Sequence, residues 1–74
     1  MVDLPAVRPA EVVAVLRRAG FERLRQSRSH IIMKHPGNGR FTVVAMHTKD
    51  MRKPMLRRVL FEAGITEGEF LRLR

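Results

Sequence analysis

The sequence predicts an α+β fold of two layers, in which helices cover one face of a three-stranded antiparallel sheet. Two segments with apolar residues at helical spacing flank three short segments rich in β-branched and apolar residues. Placing both helices on one face of the sheet is the economical way to bury both apolar stripes. With 74 residues, the chain is expected to form a single domain over residues 1–74.

The first helix is predicted over residues 9–19. Pro9 suits the first helical position, where its missing N–H costs nothing, and Gly20 suits the position just past the end. The apolar stripe consists of Val12, Val13, Leu16 and Ala19.

Three strands are predicted next, over residues 21–26, 31–33 and 41–46. The first is an edge strand, and the third has the strongest β-sheet composition in the chain. The turn at residues 36–39 contains Asn38-Gly39, a pair that tight hairpins favour. If the hairpin closes over this turn, residue 35 faces residue 40 and residue 30 faces residue 45.

The second helix is predicted to begin near Lys53-Pro54 and to end at Gly64. Its apolar stripe is Leu56, Val59, Leu60 and Ala63. Thr66, with Glu69 three residues later, predicts a capping box that starts a short last helix.

Both faces of the sheet carry apolar residues, so the pattern leaves two packings open. In one, Ile31, Met33, Val44 and Met46 lie under the helices, and His30 shares an open face with Ile32, Phe41, Val43 and Ala45. The opposite packing agrees equally well with the sequence. In the first packing, an exposed apolar strip beside His30 would suit the docking of a partner.

Composition gives the first indication of function. The chain has 15 Lys and Arg against 7 Asp and Glu, a net charge of +8 and no cysteine. Twelve of the cations are Arg, whose planar fork matches a phosphate. This favours a polyanionic partner such as nucleic acid, an acidic protein or an anionic membrane, although solubility or a GC-rich genome would also explain it.

The sequence also limits the compartment and the kinds of site. The chain has no apolar run of membrane-spanning length and no signal-peptide pattern at Met1, and the lack of cysteine fits a reducing cytoplasm. Carboxylates are sparse and no His-x-x-x-His pair exists, so no metal or other cofactor is expected. Three of the four Phe are predicted to lie in the core, which disfavours base stacking.

The three histidines differ in their surroundings. His30 and His35 are five residues apart on one strand, so they point to opposite faces, and His35 before Pro36 is expected to be structural. His47 would lie diagonally from His30, at about 7–8 Å on the same face, and is predicted either to assist it or to bond to a loop.

His30 is the candidate catalytic residue. It follows a polar turn and has Arg25, Arg28 and Lys34 close in sequence. Imidazole titrates near neutrality and serves as general base on a ribose 2′-hydroxyl, while the cations would hold the phosphate. Ser29 is a further assisting candidate, although neither it nor Ser27 or Thr48 has the surroundings of an activated nucleophile.

The chain resembles the HicA toxin family, the YcfA-like mRNA interferases, over about residues 4–73. The resemblance rests on Gly20-Phe21, Arg25-Gln26, Ser29-His30, Ile32, His35-Pro36, Gly39-Arg40, residues 43–47, Lys53-Pro54, residues 56–60, residues 63–66 and residues 69–71. It implies a double-stranded-RNA-binding-domain-like α-β-β-β-α fold. It also implies a metal-independent ribonuclease toxin that cleaves mRNA through His30 and is covered by a HicB-like antitoxin.

Two positions depart from the family pattern. Arg28 stands where the family usually has Gly, so a turn that needs a positive φ there would be strained or reshaped. The turn at residues 36–39 is one residue longer than the usual Pro-Asp-Gly turn, which a hairpin tolerates.

The leading hypothesis is therefore an endoribonuclease toxin of a type II toxin–antitoxin system, most simply a monomer when free. A non-catalytic module that binds double-stranded RNA is the first alternative, and a protein that docks an acidic partner is the second.

Overall fold

The structure, a computed structural model, describes residues 4–46 and 49–74 and has the predicted order of elements. The helices are α1 (Pro9–Arg18), α2 (Lys53–Ala63) and α3 (Glu67–Leu73), and the strands are β1 (Glu22–Gln26), β2 (His30–Lys34) and β3 (Phe41–Ala45). The sheet is antiparallel with strand order β1-β2-β3. The α+β fold is confirmed, and it agrees with a double-stranded-RNA-binding-domain-like arrangement.

The helix ends follow the predicted signals. Pro9 opens α1, and Gly20 lies two residues beyond its end with a φ of 99°. Gly64 ends α2 in the left-handed region with a φ of 72°, a conformation that costs glycine little. The capping box is present at α3: Thr66 Oγ1 accepts from the N–H of Glu69, and the Glu69 carboxylate accepts from the N–H of Thr66.

Strand register is as the Asn38-Gly39 turn predicts. His30 pairs with Ala45, and the N–H of His35 donates to the carbonyl of Arg40 at 2.8 Å. In β1, however, the register shifts between Arg23 and Arg25, which places a bulge at Leu24. All five residues of β1, an edge strand of the sheet, are exposed.

The helices cover the face that carries Ile31, Met33, Thr42 and Val44, all of which are buried. This is the first of the two packings, and it leaves His30 on the open face. Thr42 is the one buried polar side chain among the described residues, and its hydroxyl donates to Glu62 of α2 at 2.8 Å. Arg58 of α2 pairs with Glu62 and donates to the carbonyl of Val43 at 3.5 Å on the outer edge of β3.

The core extends further than the predicted helix stripes. It also includes Leu4 and Val7 before α1 and Met51 before α2, all buried. The N–H of Met51 donates to the carbonyl of Val7 at 2.6 Å and forms an isolated bridge. This bridge fixes the segments that lead into α1 and α2 against each other.

The prediction that three of the four Phe lie in the core is wrong for one of the three. Phe21 and Phe70 are buried, but Phe41 and Phe61 are exposed by 60% and 82%. The buried residues of β3 are Thr42 and Val44, which point toward the helices. Phe41 and Val43 alternate with them, so their side chains point to the open face. An aromatic ring is therefore available on the face that carries His30.

Candidate active site

The first residue of β2 presents its side chain on the open face of the sheet. His30 is exposed, and its Nδ1 lies 3.1 Å from the hydroxyl oxygen of Ser29. Nothing within residues 4–46 and 49–74 bonds to Nε2. One ring nitrogen thus has a hydrogen-bonding neighbour, whereas the other has none among the described residues.

The turn between β1 and β2 fixes the position of His30. The N–H of Ser27 donates to the carbonyl of His30 at 2.9 Å, and the carbonyl of Ser29 accepts from the N–H of Met46 at 2.6 Å. Only glycines have a positive φ among the described residues, so Arg28 adopts an ordinary backbone conformation. Arg in place of the family's usual Gly therefore needs no strained φ.

The predicted cations lie at different distances from His30. Arg28 is exposed in the turn beside it, and Arg25 pairs with Ile32 in the neighbouring strand, which puts Arg25 on the open face. Lys34 also occupies that face, but it lies four residues further along β2, about 13 Å away at roughly 3.3 Å per residue. Arg25, Arg28 and Lys34 thus extend over more than one phosphate.

His35 has the structural role that was expected. Its Nδ1 accepts from the N–H groups of Gly37 and Asn38 at 3.0 and 3.2 Å, and its ring meets Phe21 edge to face at 5.3 Å. A Cβ at Gly20 would lie 2.8 Å from His35 Nε2, so the chain approaches the ring closely there. His47, the other assisting candidate, lies outside the described residues.

The cations are distributed unequally between the helices and the site. On the helices and at the C-cap of α3, Arg57 pairs with Glu67, Arg58 with Glu62 and Arg74 with Glu11, and Arg18 donates to the carbonyl of Leu73. The cations around the open face and the end of β3 differ from these. Within the described part of the chain they form no ion pair and no side-chain hydrogen bond; they are Arg25, Arg28, Lys34, Lys49 and Arg52. Two helical arginines, Arg17 and Arg72, are also exposed and form no ion pair within the described residues.

A groove lies at the end of β3, where Ala45 pairs with His30 of β2. It has a volume of about 530 Å³ and is lined by Pro9, Ala45, Lys49, Asp50, Met51, Arg52 and Met55. We call it the Met55 groove. Sequence periodicity could not reveal it, because α1, β3, α2 and the segment before α2 each contribute part of the lining.

The structure has two further properties that bear on function. No three His, Cys, Asp or Glu side chains within the described residues lie close enough together to hold a metal ion. None of the helices in that part of the chain is long and apolar enough to cross a membrane.

Comparison with known proteins identifies the family. Residues 9–65 match the sequence profile described as HicA toxin of bacterial toxin–antitoxin, a span that runs from the start of α1 to just past α2. No curated protein matches the chain significantly. The profile covers most of the sequence, including every strand of the sheet and His30. The chain therefore belongs to the HicA toxin family of bacterial toxin–antitoxin systems.

Proposed function

We propose that the chain is a metal-independent endoribonuclease, an mRNA interferase that inhibits translation by cleaving mRNA through His30. The observation that carries the proposal is the exposed imidazole of His30, with Nδ1 beside the Ser29 hydroxyl and Nε2 open. Membership of the HicA toxin family supports a toxic activity, and ribonuclease activity is general in that family.

The chemistry needs a base at the ribose 2′-hydroxyl. When Nδ1–H donates to Ser29, Nε2 carries the lone pair and can take the 2′-hydroxyl proton. The 2′-oxygen then attacks the adjacent phosphorus and the 5′-oxygen leaves, with the product ends a 2′,3′-cyclic phosphate and a 5′-hydroxyl. The leaving oxygen takes a proton from water or from the imidazolium, so His30 can act as base, as acid or as both in turn.

Two cations would assist at the phosphate next to His30. Arg28 in the turn and Arg25 on β1 flank His30, and a guanidinium that binds the equatorial oxygens stabilises the negative charge that grows on them. Lys34, about 13 Å along β2, would bind a neighbouring phosphate.

Replacement of His30 tests the proposal. We expect His30→Ala to remain folded and to lose RNA cleavage by at least about 100-fold, the usual contribution of a general acid or base. Wild-type cleavage should persist in EDTA, and growth inhibition on expression should disappear in the variant. Arg72→Ala, which removes an exposed helical cation, is the matched control and should cleave normally. Full cleavage by folded His30→Ala would exclude the mechanism.

A non-catalytic module that binds double-stranded RNA is the second candidate. The unpaired cations Arg25, Arg28 and Lys34 on an open sheet face favour RNA binding without requiring cleavage. In that case His30→Ala would change neither RNA affinity nor RNA integrity, and a cleavage gel separates the two candidates.

A HicB-like antitoxin is the proposed protein partner. The toxin family is defined by its pairing with an antitoxin. The open face offers a suitable surface, because half-buried Ile32 and Val43 lie between His30 and exposed Phe41, and half-buried Ala45 lies opposite His30. A partner bound to this face would cover His30 and block access of RNA.

A further inference from the structure

The Met55 groove has no role in the proton transfers described above, yet it begins at the cross-strand neighbour of His30. Ala45 lines the groove and pairs with His30. The hydrogen bond from Met46 to Ser29 makes the adjacent His30–Ala45 pair a non-hydrogen-bonded one, in which the two Cα atoms are about 4.5 Å apart and the side chains are close. The groove therefore begins at the residue that lies opposite His30 in the sheet.

The floor of the groove suits a flat apolar ring. Pro9, Ala45, Met51 and Met55 supply its apolar surface. Methionine is flexible and polarisable, so its thioether packs well against the face of an aromatic ring and adapts to rings of different size. The bridge between Met51 and Val7 holds this part of the floor in place.

The rim of the groove suits the charge of a nucleotide. Lys49 and Arg52 are exposed and pair with no carboxylate in the described part of the chain, so both are available to a phosphate. Asp50 is also at the rim, where its carboxylate can accept a hydrogen bond from the amino group of a base. A volume of about 530 Å³ is within the range of sites for small molecules.

We propose that the Met55 groove binds the base of one unpaired nucleotide next to the cleaved phosphodiester, with Lys49 and Arg52 on its phosphate. The proposal rests on the proposed function and deepens it. It specifies the substrate as an RNA that is single-stranded at the point of cleavage. A base held in a helix is stacked and paired, and so cannot enter the groove. Because methionine side chains adapt to rings of different size, the groove accepts different bases.

The test uses short RNAs with one cleavage site and a single abasic nucleotide moved through the positions around it. For the wild type, we expect the abasic nucleotide at one flanking position to raise KM by about tenfold, since contact with an aromatic base is lost. Met55→Ala should raise KM for the intact RNA by several-fold and should remove the abasic penalty at that position. Leu71→Ala is the matched control, because Leu71 on α3 is 36% exposed and Met55 is 39% exposed.

An abasic penalty that is equally large in Met55→Ala and the wild type, or that appears at no position, would overturn the groove proposal while leaving cleavage by His30 intact. If the wild type does not cleave RNA, the proposed function fails. The same RNAs are then compared by fluorescence anisotropy. Loss of the abasic penalty on Kd in Met55→Ala would support the groove, and an unchanged penalty would overturn it.

Discussion

Ser29 and His30 form the smallest unit of the site. Because the serine hydroxyl can both donate and accept, it can stay 3.1 Å from Nδ1 whether or not the ring is protonated. In the proposed mechanism this contact orients the imidazole and leaves Nε2 for the substrate. In the proposed mechanism Ser29 is a positioning residue, which acts through His30.

Replacement of Ser29 should separate orientation from binding. We expect Ser29→Ala to lower kcat about five- to tenfold with little change in KM, because the imidazole loses its orienting partner while the phosphate contacts remain. Ser29→Thr keeps the hydroxyl and should restore most of kcat. Steady-state cleavage of a short RNA measures both. Equal kcat for Ser29→Ala and the wild type would show that the contact has no part in catalysis.

The β2–β3 hairpin joins the candidate catalytic histidine to a structural one. His30 begins β2, whereas His35 follows it and accepts two N–H groups of the turn while touching Phe21. The hairpin thereby ties its own turn to the end of α1, where Gly20 and Phe21 lie.

The hairpin should therefore respond differently to loss of its two histidines. We expect His35→Ala to lower the free energy of unfolding by about 1–2 kcal/mol, through the lost turn hydrogen bonds and the lost ring contact. His30→Ala makes the same chemical change at an exposed site and should shift stability little. Urea denaturation of both variants measures the difference. Identical midpoints for the two would contradict the structural role of His35.

Much of this element structure follows from local sequence signals. Asn38-Gly39 sets the hairpin register and so the pairing of His30 with Ala45, and Thr66 with Glu69 sets the start of α3. The bulge at Leu24 has no such signal, because an exposed edge strand lacks the burial that would constrain its pattern. The choice of open face also needed the structure, since residues on both faces of β2 and β3 are apolar.

At the scale of the whole molecule, the site depends on contacts distant in sequence. A local sequence pattern is enough to propose His30 and the cations near it as candidates, because they lie within ten residues of one another. Lys49, Arg52 and the Met55 groove could not, because residues from Pro9 to Met55 meet only after folding. The exposure of Phe41 followed from only one of the two packings that the sequence left open, because it depends on which face the helices cover.

The distribution of charge predicts how RNA binding responds to salt. Arg28 has no carboxylate partner in the described chain, so a phosphate bound there releases counterions. We expect Arg28→Ala to reduce the slope of log Kd against log salt by about one. Arg72→Ala removes an arginine of α3 that is also exposed and should leave the slope unchanged.

The measurement is a fluorescence anisotropy titration at several salt concentrations with an RNA that cannot be cleaved. The same loss of slope in both variants would mean that RNA responds to the overall positive charge of the protein and does not bind specifically at the open face.

The two outer edges of the sheet have a consequence for expression of the protein. A strand edge with free N–H and C=O groups invites pairing with a second chain. In β1 the bulge at Leu24 interrupts the regular edge, and arginines stand on either side of it. On β3 the Arg58 guanidinium occupies the carbonyl of Val43. Neither edge offers a regular, uncharged ladder, so we expect a toxin produced without its antitoxin to resist fibril-like aggregation through its sheet.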